Sequence, residues 1–158
     1  MRYQKETLED EVSNANDKIK QTENSISLTK DLITEKEAVL KSIEQKIPDL
    51  EAKENAYKTF KSEIDKDNGL NTEAEKDFVA IGLASVTVIL ANNKELLASL
   101  QGKIENLKIR LGILEGNLAG YENVVKTNTP KIEEVKAKLI PLFDELKHFY
   151  QRQGIKKF

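Results

Sequence analysis

The sequence predicts an all-α fold, a long antiparallel coiled-coil helical hairpin with a shorter third helix. Charged residues make up 33% of the 158 positions and Leu, Ile, Ala, Glu and Lys dominate, as in long helices. Only 7 Gly and 3 Pro interrupt the chain, so turns must be few and elements long. Apolar residues also recur every seventh position, which is typical of helices that pack side by side.

The first predicted helix covers residues 4–65. Its apolar positions form two rows, and at about 1.5 Å per residue it would be roughly 90 Å long. Pro48 lies within the pattern and should bend the helix, because proline removes one backbone hydrogen bond. One row comprises Val12, Ile19, Ile26, Ile33, Leu40 and Ile47, and the other comprises Leu8, Ala15, Thr22, Thr29, Lys36, Ile43, Leu50, Tyr57 and Ile64.

Residues 65–72 interrupt this pattern and are predicted to form the tip of the hairpin. Gly69 can adopt the left-handed conformation that ends a helix. Thr72 and Glu75 have the spacing of a capping box, in which each side chain satisfies a free amide of the first helical turn. A second helix is therefore predicted to begin at residue 72.

The second predicted helix covers residues 72–127 and is as regular as the first. If the chain folds back at Gly69, Ile43 is expected near Leu97 and Ile19 near Tyr121. One of its two rows comprises Leu83, Leu90, Leu97, Ile104, Leu111, Leu118 and Val125, and the other comprises Val79, Val86, Asn93, Leu100, Leu107, Leu114 and Tyr121.

A third helix is predicted over residues 130–151. Thr129 is a good N-cap and Pro130 suits the first helical position, while Pro141 could bend this helix. Its apolar positions are Ile132, Val135, Leu139, Leu142, Leu146 and Phe149.

A groove on the second helix is the predicted seat of the third. Three glycines at a spacing of four residues each cost about 1 kcal/mol against Ala in a helix, so close approach of another helix is the expected reason for them. The prediction is a three-helix bundle at the end that carries the termini; the alternative is that a second subunit fills the groove. The groove residues are Ile109, Gly112, Ile113, Gly116 and Gly120.

Residues 78–91 are apolar on every side, and no charged residue occurs between Asp77 and Lys94. A helix of this kind must be covered on every side. Burial between subunits, insertion into a membrane and burial under a folded-back third helix are three competing interpretations. The candidate contact residues are Phe78, Val79, Ile81, Leu83, Val86, Val88, Ile89 and Leu90.

No motif in the sequence predicts catalysis, a metal site or a cofactor. Cys is absent, which excludes thiolate chemistry. The acidic residues after Asp65 resemble a calcium loop, but Gly69 and Lys76 fall at the wrong positions for one. His148 and Asp144 would be only two metal ligands. We therefore expect a protein that is not an enzyme.

The charge balance argues against binding to nucleic acid. The 25 basic residues are interspersed with 27 acidic ones, so no basic field is expected. The first ten residues are polar and predict no signal peptide; a cytoplasmic location, or one inside a particle assembled within the cell, is expected.

These patterns predict a structural or assembly protein that self-associates through residues 78–91 into an oligomer, stalk or filament. Two alternatives remain open at this point. One is a membrane-active helical protein, similar in logic to pore-formers, that inserts the same segment. The other is an adaptor or chaperone that binds a helix of a partner protein.

Overall fold

The computed structural model describes residues 2–66 and 73–152, which form two helices and contain no strand. Helix α1 is Arg2–Lys66 and helix α2 is Glu73–Arg152. The two helices pack together as a hairpin, so the all-α hairpin prediction is confirmed. The predicted roles of Gly69 and Thr72 lie outside the described residues.

The predicted apolar rows carry the contact between the helices. Every buried side chain in the described part of the chain lies in one of these rows or in its continuation at the same seven-residue spacing; we call this set the seam. Because α-helical neighbours three and four residues apart share a face, such rows place all the buried groups on one side of each helix. They are Ala15, Thr22, Ile26, Thr29, Ile33 and Ile43 on α1, and Val79, Val86, Leu90, Leu100, Ile104, Asn128, Ile132 and Val135 on α2.

One of two compact units in the chain comprises Thr29–Arg110. Within it, Lys108 Nζ lies 3.1 Å from Glu37 Oε1 and Lys94 Nζ lies 3.4 Å from Glu51 Oε1. Residue numbers rise along α1 as they fall along α2, so the two segments run antiparallel. Exposed ion pairs of this kind contribute only about 0–1 kcal/mol each, and the stability of the unit therefore comes mainly from the seam.

The other unit combines Met1–Leu28 with Leu111–Phe158. Here Asn128, which is buried, donates a hydrogen bond of 2.7 Å from Nδ2 to Oε2 of Glu11. A shift of α1 along α2 would leave a buried amide without its acceptor, at a cost of about 1–3 kcal/mol. This bond therefore favours one register of the two helices, as single polar groups do in helical seams.

The predicted third helix is not a separate element. Pro130 and Pro141 both lie inside α2, so the break predicted after residue 127 is wrong. Thr129 is not an N-cap either, because its hydroxyl donates a hydrogen bond of 2.7 Å to the carbonyl of Val125 one turn earlier. This is the bond that threonine makes in the middle of a helix.

Helix α2 continues through Pro130 because its seam continues. Asn128, Ile132 and Val135 are all buried, and they extend the two rows of α2 without a change of phase. A proline inside a helix costs about 3 kcal/mol, whereas full burial of one Ile or Val contributes about 1.5–3 kcal/mol. Two such residues offset the cost of Pro130, and no turn is needed to bury them.

We expect Pro130→Ala to stabilise the protein by up to about 3 kcal/mol, because Pro130 is exposed within a continuous helix and alanine restores the missing hydrogen bond. Urea unfolding monitored by circular dichroism measures this change. Pro48→Ala is the matched control, since Pro48 lies within α1. A loss of stability for Pro130→Ala alone would indicate that a helix begins at residue 130, where proline is favourable.

Candidate interaction surface

The charge-free segment 78–91 is divided between two environments. Val79, Val86 and Leu90 are 8%, 9% and 5% exposed and belong to the seam with α1, and Leu83 is half-buried beside them. Burial under a folded-back third helix was one of the predicted interpretations, and it is wrong because α2 does not fold back. Helix α1 covers one side of the segment only.

Four large side chains of the segment form what we call the outer patch. Phe78, Ile81, Val88 and Ile89 are 70%, 66%, 58% and 46% exposed. At about 100° per residue, Ile81 and Val88 lie on the side of α2 opposite the seam, and Phe78 and Ile89 lie together on one flank beside them. The patch has no charged residue within it, which distinguishes it from the single exposed apolar residues that occur on any protein surface.

The outer patch borders an open apolar hollow near one end of α2. Phe60 and Ile64 of α1 line this hollow together with Ala74, Phe78 and Val79 of α2. Phe60 is 53% exposed, so the two phenylalanines extend the apolar surface across both helices. Phe60 is not among the contact residues predicted from the sequence. The place of Phe60 next to a seam row could have identified it as a contact residue. A helical pattern alone, however, does not show which residues beside a seam stay exposed.

Gly82 allows the closest approach between the two helices in this segment. A Cβ atom added to it would lie 2.5 Å from Cε1 and 2.7 Å from Cζ of Tyr57. Tyr57 belongs to a predicted seam row of α1 and is half-buried. The glycine therefore makes room for an aromatic ring from α1.

Gly82→Ala should destabilise the protein by about 1–3 kcal/mol, since the methyl group would displace the ring of Tyr57. Gly102→Ala is the control, because nothing lies within 4 Å of a Cβ atom there and the helix should gain about 1 kcal/mol. Thermal unfolding of both variants measures the difference. Stabilisation of equal size in both would contradict the contact.

The predicted groove is not covered by any described part of the chain. Ile109 and Ile113 are 57% and 59% exposed, and nothing lies within 4 Å of a Cβ atom added to Gly112, Gly116 or Gly120. The prediction that a third helix of the same chain occupies this face is therefore wrong. Contact of this face with a second subunit stays a prediction.

Gly116→Ala should stabilise the single chain by about 1 kcal/mol, because alanine loses less backbone entropy in a helix and meets no neighbour here. Chemical unfolding at low protein concentration measures this gain. The same measurement at high concentration tests the groove. If a second copy packs closely on it, the substitution will instead destabilise the protein as concentration rises.

Polar groups of the described residues form ion pairs and hydrogen bonds within each helix and between the two helices. Among residues 2–66 and 73–152, no group of three or more His, Asp or Glu could hold a metal ion.

Hydrogen bonds from Lys58 and Thr87 lower the pKa of the Glu54 carboxyl. The stabilising effect of this carboxylate is therefore present above its ordinary pKa and disappears as pH falls through the lowered value. Such a group ties α1 to α2 and is ill-suited to proton transfer near neutral pH.

No helix in the described ranges is long and apolar enough to cross a membrane.

Comparison of the chain with protein-family models, with curated proteins and with solved structures finds no match. The outer patch is therefore interpreted from its own geometry.

Proposed function

We propose that this protein is a non-enzymatic assembly protein whose copies associate through the outer patch of α2. The association places two helical hairpins side by side, and its product is an oligomer, a stalk or a filament. The role is geometric: the hairpin supplies helical length, and the patch supplies the contact. A second copy of the chain is the partner.

The observation that carries this proposal is the unequal burial of one charge-free segment. Its seam side is covered by α1, while Ile81 and Val88 on the opposite side and Phe78 on the flank are more than half exposed. Covering an apolar side chain contributes about 25 cal/mol for each Å² removed from water. A surface with three such residues and no charge therefore gains free energy from any apolar partner of matching shape.

A second copy matches the patch when the two α2 segments run antiparallel. A two-fold axis near Ser85 places Ile81 of one copy beside Ile89 of the other, and the small Ser85 lies at the centre. The same patch on both copies makes a self-complementary contact.

The finer description of the hairpin is also a proposal. The seven-residue spacing of the seam supports a coiled-coil geometry, in which α1 and α2 wind around each other. The Gly112–Gly120 face would be a further contact between copies. The adaptor hypothesis draws less support. The polar seam positions Thr22, Thr29 and Lys36 would suit an exchangeable helix, but Thr22 and Thr29 are buried in the existing hairpin.

Val88→Glu should abolish the association that occurs through the outer patch and so lower the average mass, because it places a charge within the patch without disturbing the seam. Sedimentation equilibrium from about 5 to 500 µM measures the mass of the wild type and of the variant. Ser99→Glu is the matched control, since it adds the same charge to an exposed position of α2 outside the segment. A wild type that stays monomeric throughout this range would refute the proposal.

Flotation with liposomes separates self-association from membrane contact. Val88→Glu is a better probe than a change at Val86, because Val86 is buried in the seam and a charge there would destabilise the hairpin. If the wild type floats and Val88→Glu does not, the patch binds lipid and the assembly proposal fails. Association in solution without flotation supports it.

A further inference from the structure

We propose a second self-association surface at the end of α2, where residues 143–152 of two copies pair antiparallel about a two-fold axis. The outer patch takes no part in this contact. The conclusion that both contacts together build assemblies larger than a dimer rests on the proposed function, whereas the pairing of residues 143–152 stands on its own observations.

The first observation is that α1 no longer buries the seam residues of α2 that follow Val135. Val135 is buried, but Leu142, Leu146 and Phe149, which continue the same rows, are 45%, 41% and 48% exposed. Gln4, near the described start of α1, lines one hollow with Val135 and Lys138, so the described part of α1 ends close to this level of α2. Beyond it, the face that α1 covers continues as an exposed apolar stripe that no described residue buries.

The second observation concerns the residues that flank this stripe. Phe143 and Tyr150 lie along one edge and Glu145 and Arg152 along the other, each pair seven residues apart on α2. Phe143 is 54% exposed, and the ring of Phe149 packs edge-on against Tyr150 with centroids 5.8 Å apart. One edge is therefore aromatic, and the other carries one negative and one positive charge.

These positions are self-complementary in a single antiparallel register. When Leu146 of one copy faces Phe149 of the second, Phe143 falls beside Tyr150 of the second copy along the aromatic edge. Along the charged edge, Glu145 falls beside Arg152 of the second copy, and the two-fold axis repeats every pair. A register shifted toward Leu139 would bring the second copy against the start of α1. The pairing of Glu145 with Arg152 and the position of the exposed seam residues beyond α1 therefore favour the same alignment.

The size of this surface indicates a weak contact. Half-exposed Leu and Phe side chains each leave on the order of 100 Å² to be buried, so both copies together bury several hundred Å². Specific stable interfaces bury about 1,200–2,000 Å². We expect association in the range of tens to hundreds of µM, weaker than through the outer patch.

Two separate two-fold contacts on one chain have a consequence for assembly. A two-fold contact is satisfied by one partner, so a protein with one such surface stops at a dimer. A second surface lets each dimer bind further dimers. The wild type should therefore continue to grow in mass as concentration rises.

The experiment is a charge exchange measured by sedimentation equilibrium in the Val88→Glu background, where the outer patch is inactive. Glu145→Arg alone, or Arg152→Glu alone, should weaken the remaining dimer about tenfold, because attraction becomes repulsion in both symmetry-related pairs. The two substitutions together should restore it. Lys147→Glu, an exposed charge reversal away from the stripe, should leave it unchanged. Circular dichroism checks that each variant remains helical.

The outcomes separate this inference from the proposed function. If the Val88→Glu protein is monomeric up to 500 µM, or if the double exchange does not restore a dimer lost by the single changes, the second surface is refuted. The outer patch is tested independently in the Leu146→Asp protein, where the second surface is inactive. If this protein forms a dimer that disappears when Val88→Glu is added, the outer patch is supported. If the Leu146→Asp protein is monomeric while the Val88→Glu protein still forms the dimer that depends on Glu145 and Arg152, the proposed function fails and this inference stands.

Discussion

The unbroken seven-residue spacing of the α2 seam is the constraint on which the rest of this structure depends. It places the buried groups of α2, from Val79 to Val135, in two continuous rows that α1 covers. It also explains why Pro130 does not end the helix. A turn would save the cost of one lost hydrogen bond, but it would remove Ile132 and Val135 from the seam.

The same constraint decides what remains exposed. A helical hairpin can cover one side of each helix, and the seam uses that side fully. The outer patch and the Gly112–Gly120 face lie elsewhere on α2. The patch side chains stay largely exposed, and no described atom lies within 4 Å of a Cβ atom added to these glycines. The proposed association of two copies around Ser85 would cover the outer patch.

Polar groups in the seam determine how α1 is aligned along α2 more than they raise the overall stability. The hydrogen bond from Asn128 to Glu11 satisfies a buried amide in only one alignment of the two helices. Apolar rows alone would tolerate a shift by seven residues, because Leu, Ile and Val fill similar spaces. Thr22 and Thr29 are buried as well, and polar side chains at such positions lower the number of acceptable alignments.

The sequence by itself determined the helical hairpin, the residues of the seam and the charge-free segment, because helix periodicity and local composition are properties of neighbours along the chain. It also contained the signal that α2 is one helix, since Ile132 and Val135 keep the phase of the rows before Pro130; the local preference of Thr129 and Pro130 for a helix start led to the wrong prediction. Only the tertiary structure decided which half of residues 78–91 is covered, that Phe60 extends the apolar surface and that Leu146 and Phe149 lie beyond the cover of α1. Exposure depends on where the second helix lies, and no pattern within one helix contains that information.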